Sequence, residues 1–201
     1  MTGKPSGEPV ATAGELRRAE AGDIPALDAL IALSARALQA ATYAPAQIEA
    51  ALGTVFAVDT QLIADGTYYV LERDELIIGC GGWSRRKTLF GGHAAVSARN
   101  DALLDPARDA ARIRAFFVHP ARARQGIGRQ LLAHCERAAI DAGFHRLELV
   151  ATLAGEPLYL ASGFRAVERY ELTLPDASSL PVVRMVKMPA DSVSPSAGTC
   201  R

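Results

Sequence analysis

The sequence predicts an α/β (α+β) domain built on a mixed, mostly antiparallel sheet of about seven strands with flanking helices. Three observations lead there. Short β-branched and aromatic runs recur along the chain, and two of them face each other across a tight turn. Amphipathic helical patterns alternate with these runs. One strand–turn–helix–strand unit, residues 113–151, has the length and order of a parallel crossover.

Met1–Gly14 and Pro189–Arg201 are rich in small residues and proline and are expected as disordered tails around one domain, residues 15–188. Glu15–Ala19 reads as a first strand. Asp23 offers a helix N-cap and Pro25 sits in the first turn, where its missing N–H costs nothing. Leu27, Leu30, Ile31 and Leu38 then form an apolar stripe to about Gln39, and a second helical pattern runs from Pro45 to Ile63. Thr67–Glu72 and Leu76–Trp83 form a hairpin about a turn at Arg73–Asp74. Three glycines in its return strand predict a bulge or a close approach by another backbone. Residues 85–110 are a long polar connection, a length that is usually functional or mobile. Ile113–Val118 is a strand that stops at His119–Pro120. Ile127–Ala142 is a helix with Ile127, Leu131, Cys135 and Ala138 on one face and Gly143 as its C-terminal cap. Leu147–Ala151 is a strand, Pro157–Ser162 a short helix stopped by Gly163, and Ala166–Leu174 and Val182–Met188 a final antiparallel pair.

Lysine plus arginine and aspartate plus glutamate both number 22, so net charge supports neither a nucleic-acid partner nor a membrane surface. Five arginines (112, 114, 122, 124 and 129) nevertheless cluster without an intervening acid, as a solvated basic face or as the site of an anionic ligand. Cys80, Cys135 and Cys200 fit neither a disulfide framework nor a zinc pattern. No signal peptide and no membrane-length apolar run is visible, so a cytoplasmic location is the expectation.

The chemistry concentrates in residues 117–132, FVHPARARQGIGRQLL, which set two glycines between a strand end and a helix start. A helix N-terminus presents unpaired N–H groups and a partial positive charge, and glycine lets phosphate oxygens approach them. Arg122, Arg124 and Arg129 surround the turn. A dinucleotide fingerprint needs a small residue where Leu131 stands, and a triphosphate loop needs Gly-Lys-Ser/Thr where Gly128-Arg129-Gln130 stands. Neither pattern fits.

With FFVHP at 116–120, RQGIGR at 124–129 and GEPLYLASGF at 155–164, the sequence resembles the GCN5-related N-acetyltransferase (GNAT) superfamily. The agreement in element order spans roughly residues 15–188 and is closest over 113–168. One departure stands out: the family carries Arg or Gln three residues before the first glycine, and here that place is Ala123, with arginine one residue later at Arg124.

The resemblance implies a parallel strand pair that splays apart, with acetyl-CoA as co-substrate lying along Ile113–Val118. Its pantetheine amides would pair with backbone near Phe116, Phe117 and Val118, as an added strand would. Its pyrophosphate would rest on the N–H groups of Arg124, Gln125, Gly126, Ile127, Gly128 and Arg129. Tyr159 matches the tyrosine that protonates the departing thiolate, set against a role in packing alone. No metal is implied. Trp83 and Arg85, with Arg86 beside them, end a strand that borders the acceptor in this fold, and Trp83 fits a core aromatic equally well. Glu72, Glu148, Asp105 and His119 are base-type residues, and no pattern distinguishes one of them. The implied reaction is direct acetyl transfer to an amine of a small molecule or peptide, in a ternary complex, by a chain that members of the fold suggest as a homodimer. Neither Cys80 nor Cys135 has the setting of an activated nucleophile. The competing reading is a CoA-binding sensor module without transferase activity.

Overall fold

The structure is a computed structural model that describes residues 14–88 and 102–188. The expected tails up to Ala13 and from Pro189, with Cys200, and the middle of the 85–110 connection lie outside the described residues. Among the described residues seven strands form one sheet: β1 (Glu15–Arg18), β2 (Tyr68–Arg73), β3 (Leu76–Ser84), β4 (Ala111–Val118), β5 (Leu147–Thr152), β6 (Arg165–Thr173) and β7 (Ser179–Lys187). Their order across the sheet is β1-β2-β3-β4-β5-β7-β6, and every neighbouring pair is antiparallel except β4–β5. That parallel pair is joined by α4 (Ile127–Asp141), the crossover expected between residues 113 and 151.

Period-two alternation gives each face of the sheet its own core. On one face Tyr69 and Leu71 pack with Ile127, Leu131 and Cys135 of α4 and with Tyr159 of α5 (Glu156–Leu160). On the other, Tyr68 and Val70 pack with Leu27 and Ile31 of α1 (Ile24–Leu38), Ile48 of α2 (Pro45–Ala51) and Leu62 of α3 (Thr60–Ala64). Gly143 ends α4 with a φ of 91°, as a left-handed cap should. Asp74 and Glu75, both at positive φ, form the β2–β3 turn, one residue later than the sequence suggests.

The predicted helix over 45–63 is in fact two. The chain leaves α2 at Leu52 in an extended conformation, turns through Gly53 at φ 72°, and restarts where the buried Asp59 accepts a hydrogen bond from the Leu62 N–H at 3.3 Å. Asp23 does occupy the N-cap position of α1, but its carboxylate does not cap that helix. The Arg17 guanidinium takes it in a two-pronged pair at 2.7 and 2.9 Å, a stronger partner than a single amide.

The glycine-rich return strand produces both predicted outcomes. The β3–β4 register shifts between Cys80 and Gly82, and Ala115 opposite takes a φ of 61°. A β-carbon at Gly82 would come within 2.8 Å of the Thr67 carbonyl, the backbone approach that three glycines suggested. The irregularity at Ala115 also changes the phase of β4. Ile113, Phe116 and Val118 belong to the α4 face, whereas Ala115 and Phe117 belong to the α1 face.

Candidate active site

β4 and β5 pair only at Ala111↔Leu147 and Arg112↔Glu148, and beyond that point they diverge. The divergence is anchored at its base. Glu148 of β5, 5% exposed, is held between Arg112 of β4 and Arg184 of β7, so three strands are tied by charge at the last paired position. Past it the sheet opens into a cavity of about 730 Å³ that runs through the gap from one face to the other.

At the α4 end the chain leaves β4, makes a single turn of 3₁₀ helix at Pro120–Arg122, and enters α4 through Gly126. Gly126 has a φ of 84°, and a β-carbon there would meet no atom within 4 Å. The left-handed conformation, not crowding, therefore favours glycine at this position. None of the backbone N–H groups from Arg124 to Arg129 has a hydrogen-bond partner among the described residues. Six unpaired donors at the start of a 15-residue helix make a strong anion cradle. Arg124, Gly126, Ile127, Gly128 and Arg129 line the cavity, together with Phe116, Phe117 and Val118. Gln125 does not; its side-chain amide donates to the Ala121 carbonyl at 3.5 Å. Among the β4 backbone groups expected to be open, the Val118 N–H donates to Ser34 Oγ at 3.3 Å, so α1 takes one of them.

Tyr159 of α5 lies in the same cavity, 8% exposed, and its hydroxyl has no hydrogen-bond partner among the described residues. Its ring meets Phe116 and Phe164 edge to face, with centroids 6.3 and 5.8 Å away. Burial first, and the neighbouring Cys135 second, push the phenol well above the ordinary tyrosine range, so it holds its proton. A buried neutral phenol with a free hydroxyl suits proton donation to a departing anion.

Trp83 and Arg85 do not reach the cavity. Strand alternation turns Trp83 to the α4 face, where it is 3% exposed and meets Phe144 edge to face at 6.0 Å. Arg85 is exposed and lies over the Trp83 ring at 5.8 Å, while Arg86 pairs with Asp65 at 2.7 Å. Trp83 is thus a core aromatic, the other of its two readings. The base-type residues are also occupied elsewhere. Glu72 pairs with Arg17, Glu148 with two arginines, and His119 Nδ1 accepts from the Ala121 N–H at 3.3 Å. Asp105 accepts from the Ala107 N–H on an exposed turn. No carboxylate or imidazole lines the cavity among the described residues. Burial pushes the Cys80 thiol up to about 12 and the Cys135 thiol higher still, the opposite of nucleophile activation.

The opposite wall of the cavity is absent from the sequence reading. Ser34, Leu38 and Gln39 at the end of α1, Val55 and Phe56 before α3, and Leu172 and Val182 of the β6–β7 hairpin come together there. They come from three distant segments, each of which reads by itself as ordinary amphipathic structure.

The model of the acetyltransferase (GNAT) domain matches residues 64–166. Among solved structures, the chain is similar to a GCN5-related N-acetyltransferase from Rhodopseudomonas palustris, with TM-score 0.65 and 20% identity over 90% of this chain and 99% of that one. It is also similar to the PaiA N-acetyltransferase of Thermoplasma acidophilum in complex with coenzyme A, with TM-score 0.62 and 15% identity over 88% and 99%. A third is YncA of Salmonella typhimurium, a putative acetyltransferase with its cofactor acetyl-CoA, with TM-score 0.57 and 16% identity over 93% and 100%. No curated protein matches the chain. With the family's domain spanning residues 64–166 and its mixed, splayed sheet around it, the chain belongs to the GCN5-related N-acetyltransferase superfamily and is an acyltransferase.

Proposed function

We propose that the protein transfers an acetyl group from acetyl-CoA to an amine by direct attack in a ternary complex. The observation that carries this reading is the meeting of two features in one cavity: six N–H groups at the start of α4 and the Tyr159 hydroxyl, all without a partner among the described residues. The bound coenzyme A and acetyl-CoA in two structural neighbours support the cofactor. The pyrophosphate rests on the backbone of residues 124–129, so the displaced arginine at 124 costs the cradle no donor. The pantetheine arm fills the gap between β4 and β5 beside Phe116–Val118.

The amine nitrogen attacks the thioester carbonyl carbon, the C–S bond breaks, and Tyr159 gives its proton to the leaving sulfur. The nitrogen loses one proton as the amide forms, and the phenolate recovers one, so charge balances. With no carboxylate or imidazole in the described lining, the acceptor reacts as its neutral amine.

Two measurements test the proposal: acetyl-CoA titration of the protein and thiol release over a panel of amines. The expected result is CoA binding with acceptor-dependent release. Binding without release for every amine would leave a CoA-binding module; loss of both would remove the cofactor.

A further inference from the structure

The two edges of the sheet are unlike. β1 closes one edge with four residues, whereas β6 leaves nine residues along the other, without a partner strand on its outer side among the described residues. Edge strands are ordinarily blunted by proline, lysine, brevity or a bulge, because their free N–H and C=O groups template further pairing. β6 has neither proline nor lysine, none of its residues is buried, and its one irregularity, between Ala166 and Glu168, leaves Glu168–Thr173 regular. The Leu174 N–H donates to the Ser178 carbonyl at 2.8 Å. By alternation the backbone groups of Leu172 and Tyr170 face β7, and those of Thr173, Glu171 and Arg169 face outward. The Arg169 and Glu171 side chains share the α5 face of the sheet. Arg169 pairs there with Glu156, while Glu171 is exposed and has no hydrogen-bond or ion-pair partner among the described residues.

We infer that β6 is a self-association surface, and that its partner is β6 of a second copy of this chain, paired antiparallel about a two-fold axis at Tyr170. The charges select that register. With the axis at Tyr170, Arg169 lies opposite Glu171 of the partner subunit, and Glu171 lies opposite Arg169 of the partner subunit. Both cross-strand pairs are then of opposite sign. Residues whose backbone faces outward also stand opposite each other, so each pair exchanges two main-chain N–H···O bonds. Moving the axis by one residue sets either Arg169 or Glu171 against its own copy, and like charges oppose. Moving it by half a residue sets outward-facing groups against inward-facing ones, and the ladder is lost. The surface adjoins the cavity. Glu168 of the partner subunit stands opposite Leu172, a residue of the cavity wall, and brings a carboxylate beside a lining that has none among the described residues. Neither the N–H cradle nor Tyr159 takes part, so the surface stands apart from the proposed reaction.

Sedimentation equilibrium on the full chain should give twice the mass of one chain at about 0.1 mM, with dissociation on dilution. Amide exchange supplies a second readout. The outward N–H groups of Arg169 and Glu171 should exchange about tenfold more slowly in the concentrated protein than in the dilute one. Arg169→Glu and Glu171→Arg should each weaken the dimer about tenfold, since each sets like charges together in both pairs. Mixed in equal amounts, these two variants should associate with each other, because one chain then carries two glutamates and the other two arginines. The doubly substituted chain should regain self-association. Glu171 is exposed and unpaired among the described residues, so its replacement should leave the melting temperature unchanged. A chain that stays monomeric overturns the inference. So does a dimer that ignores both substitutions, which would place the contact elsewhere on the surface. Slow exchange of the two N–H groups in a monomer, unaffected by concentration, would assign the edge to residues 189–201 of the same chain and overturns it too. Failure of the mixed variants to associate overturns the register centred on Tyr170.

Discussion

Phe116 and Tyr159 meet edge to face at the mouth of the β4–β5 gap, with centroids 6.3 Å apart and planes 76° apart. Phe116 reaches this position because β3 has no side chain beneath it. A β-carbon at Gly81 would fall 2.7 Å from the Phe116 ring. Gly81→Ala should therefore push the ring away and disturb Tyr159 through it. Overpacking of this kind costs about 1–3 kcal/mol, to be read from urea unfolding, and turnover should fall by more than CoA affinity does. Equal stability and turnover would show that the ring has room to move.

Tyr159→Phe keeps the packing with Phe116 and Phe164 and removes the proton. We expect turnover to fall on the order of a hundredfold with CoA affinity within about twofold. Because burial raises the phenol's pKa, its proton stays in place as pH climbs through the ordinary tyrosine value of 10.0. No loss of turnover below pH 9 should trace to this residue. An alkaline limb in that range that vanishes in Tyr159→Phe would contradict the assignment.

The cradle at Gly126 is tested with a matched pair. Asn and Asp both tolerate the left-handed backbone found there and have similar shape, and a β-carbon meets nothing within 4 Å. Gly126→Asp should bind CoA at least tenfold more weakly than Gly126→Asn, because the carboxylate faces the same N–H groups as the phosphates. Equal affinities in a calorimetric titration would mean that the phosphates lie elsewhere.

His134 of α4 supplies a pH test of stability. Its ring meets Tyr69 at 4.3 Å, and burial first, then Arg137 and Arg18, lower its pKa below 6.5. The unfolded chain binds this proton more readily, so stability is retained above pH 6.5 and lost as pH falls below it. Melting temperature should decline as pH falls below 6.5, and His134→Asn should flatten that decline. A melting curve of unchanged pH slope in the variant would assign the effect to other groups.

Local rules carried much of the fold. A β-branched and aromatic run and its partner across a tight turn located β2 and β3, period 3.6 with Gly143 located α4, and Gly126 marked the strand-to-helix turn, since each depends on neighbours in the chain. The 45–63 helix failed because its interruption depends on Gly53 and on Asp59, which is buried against Arg114 of β4. Trp83 left two readings open because its face is set by the packing of β3 on α4, where Phe144 receives it.

By itself the sequence determined the order of elements, the glycine turn before α4 and the position of Tyr159 on α5, because each is written in contiguous residues. Tertiary structure decided the rest. The irregularity at Ala115 chose which of Phe116 and Phe117 faces Tyr159. The charged tie at Glu148 fixed where the sheet opens, and the apolar wall around Gln39 formed from three segments brought together only by folding. A cavity wall is a property of surfaces that meet across the chain, and no spacing along the chain encodes which surfaces those will be.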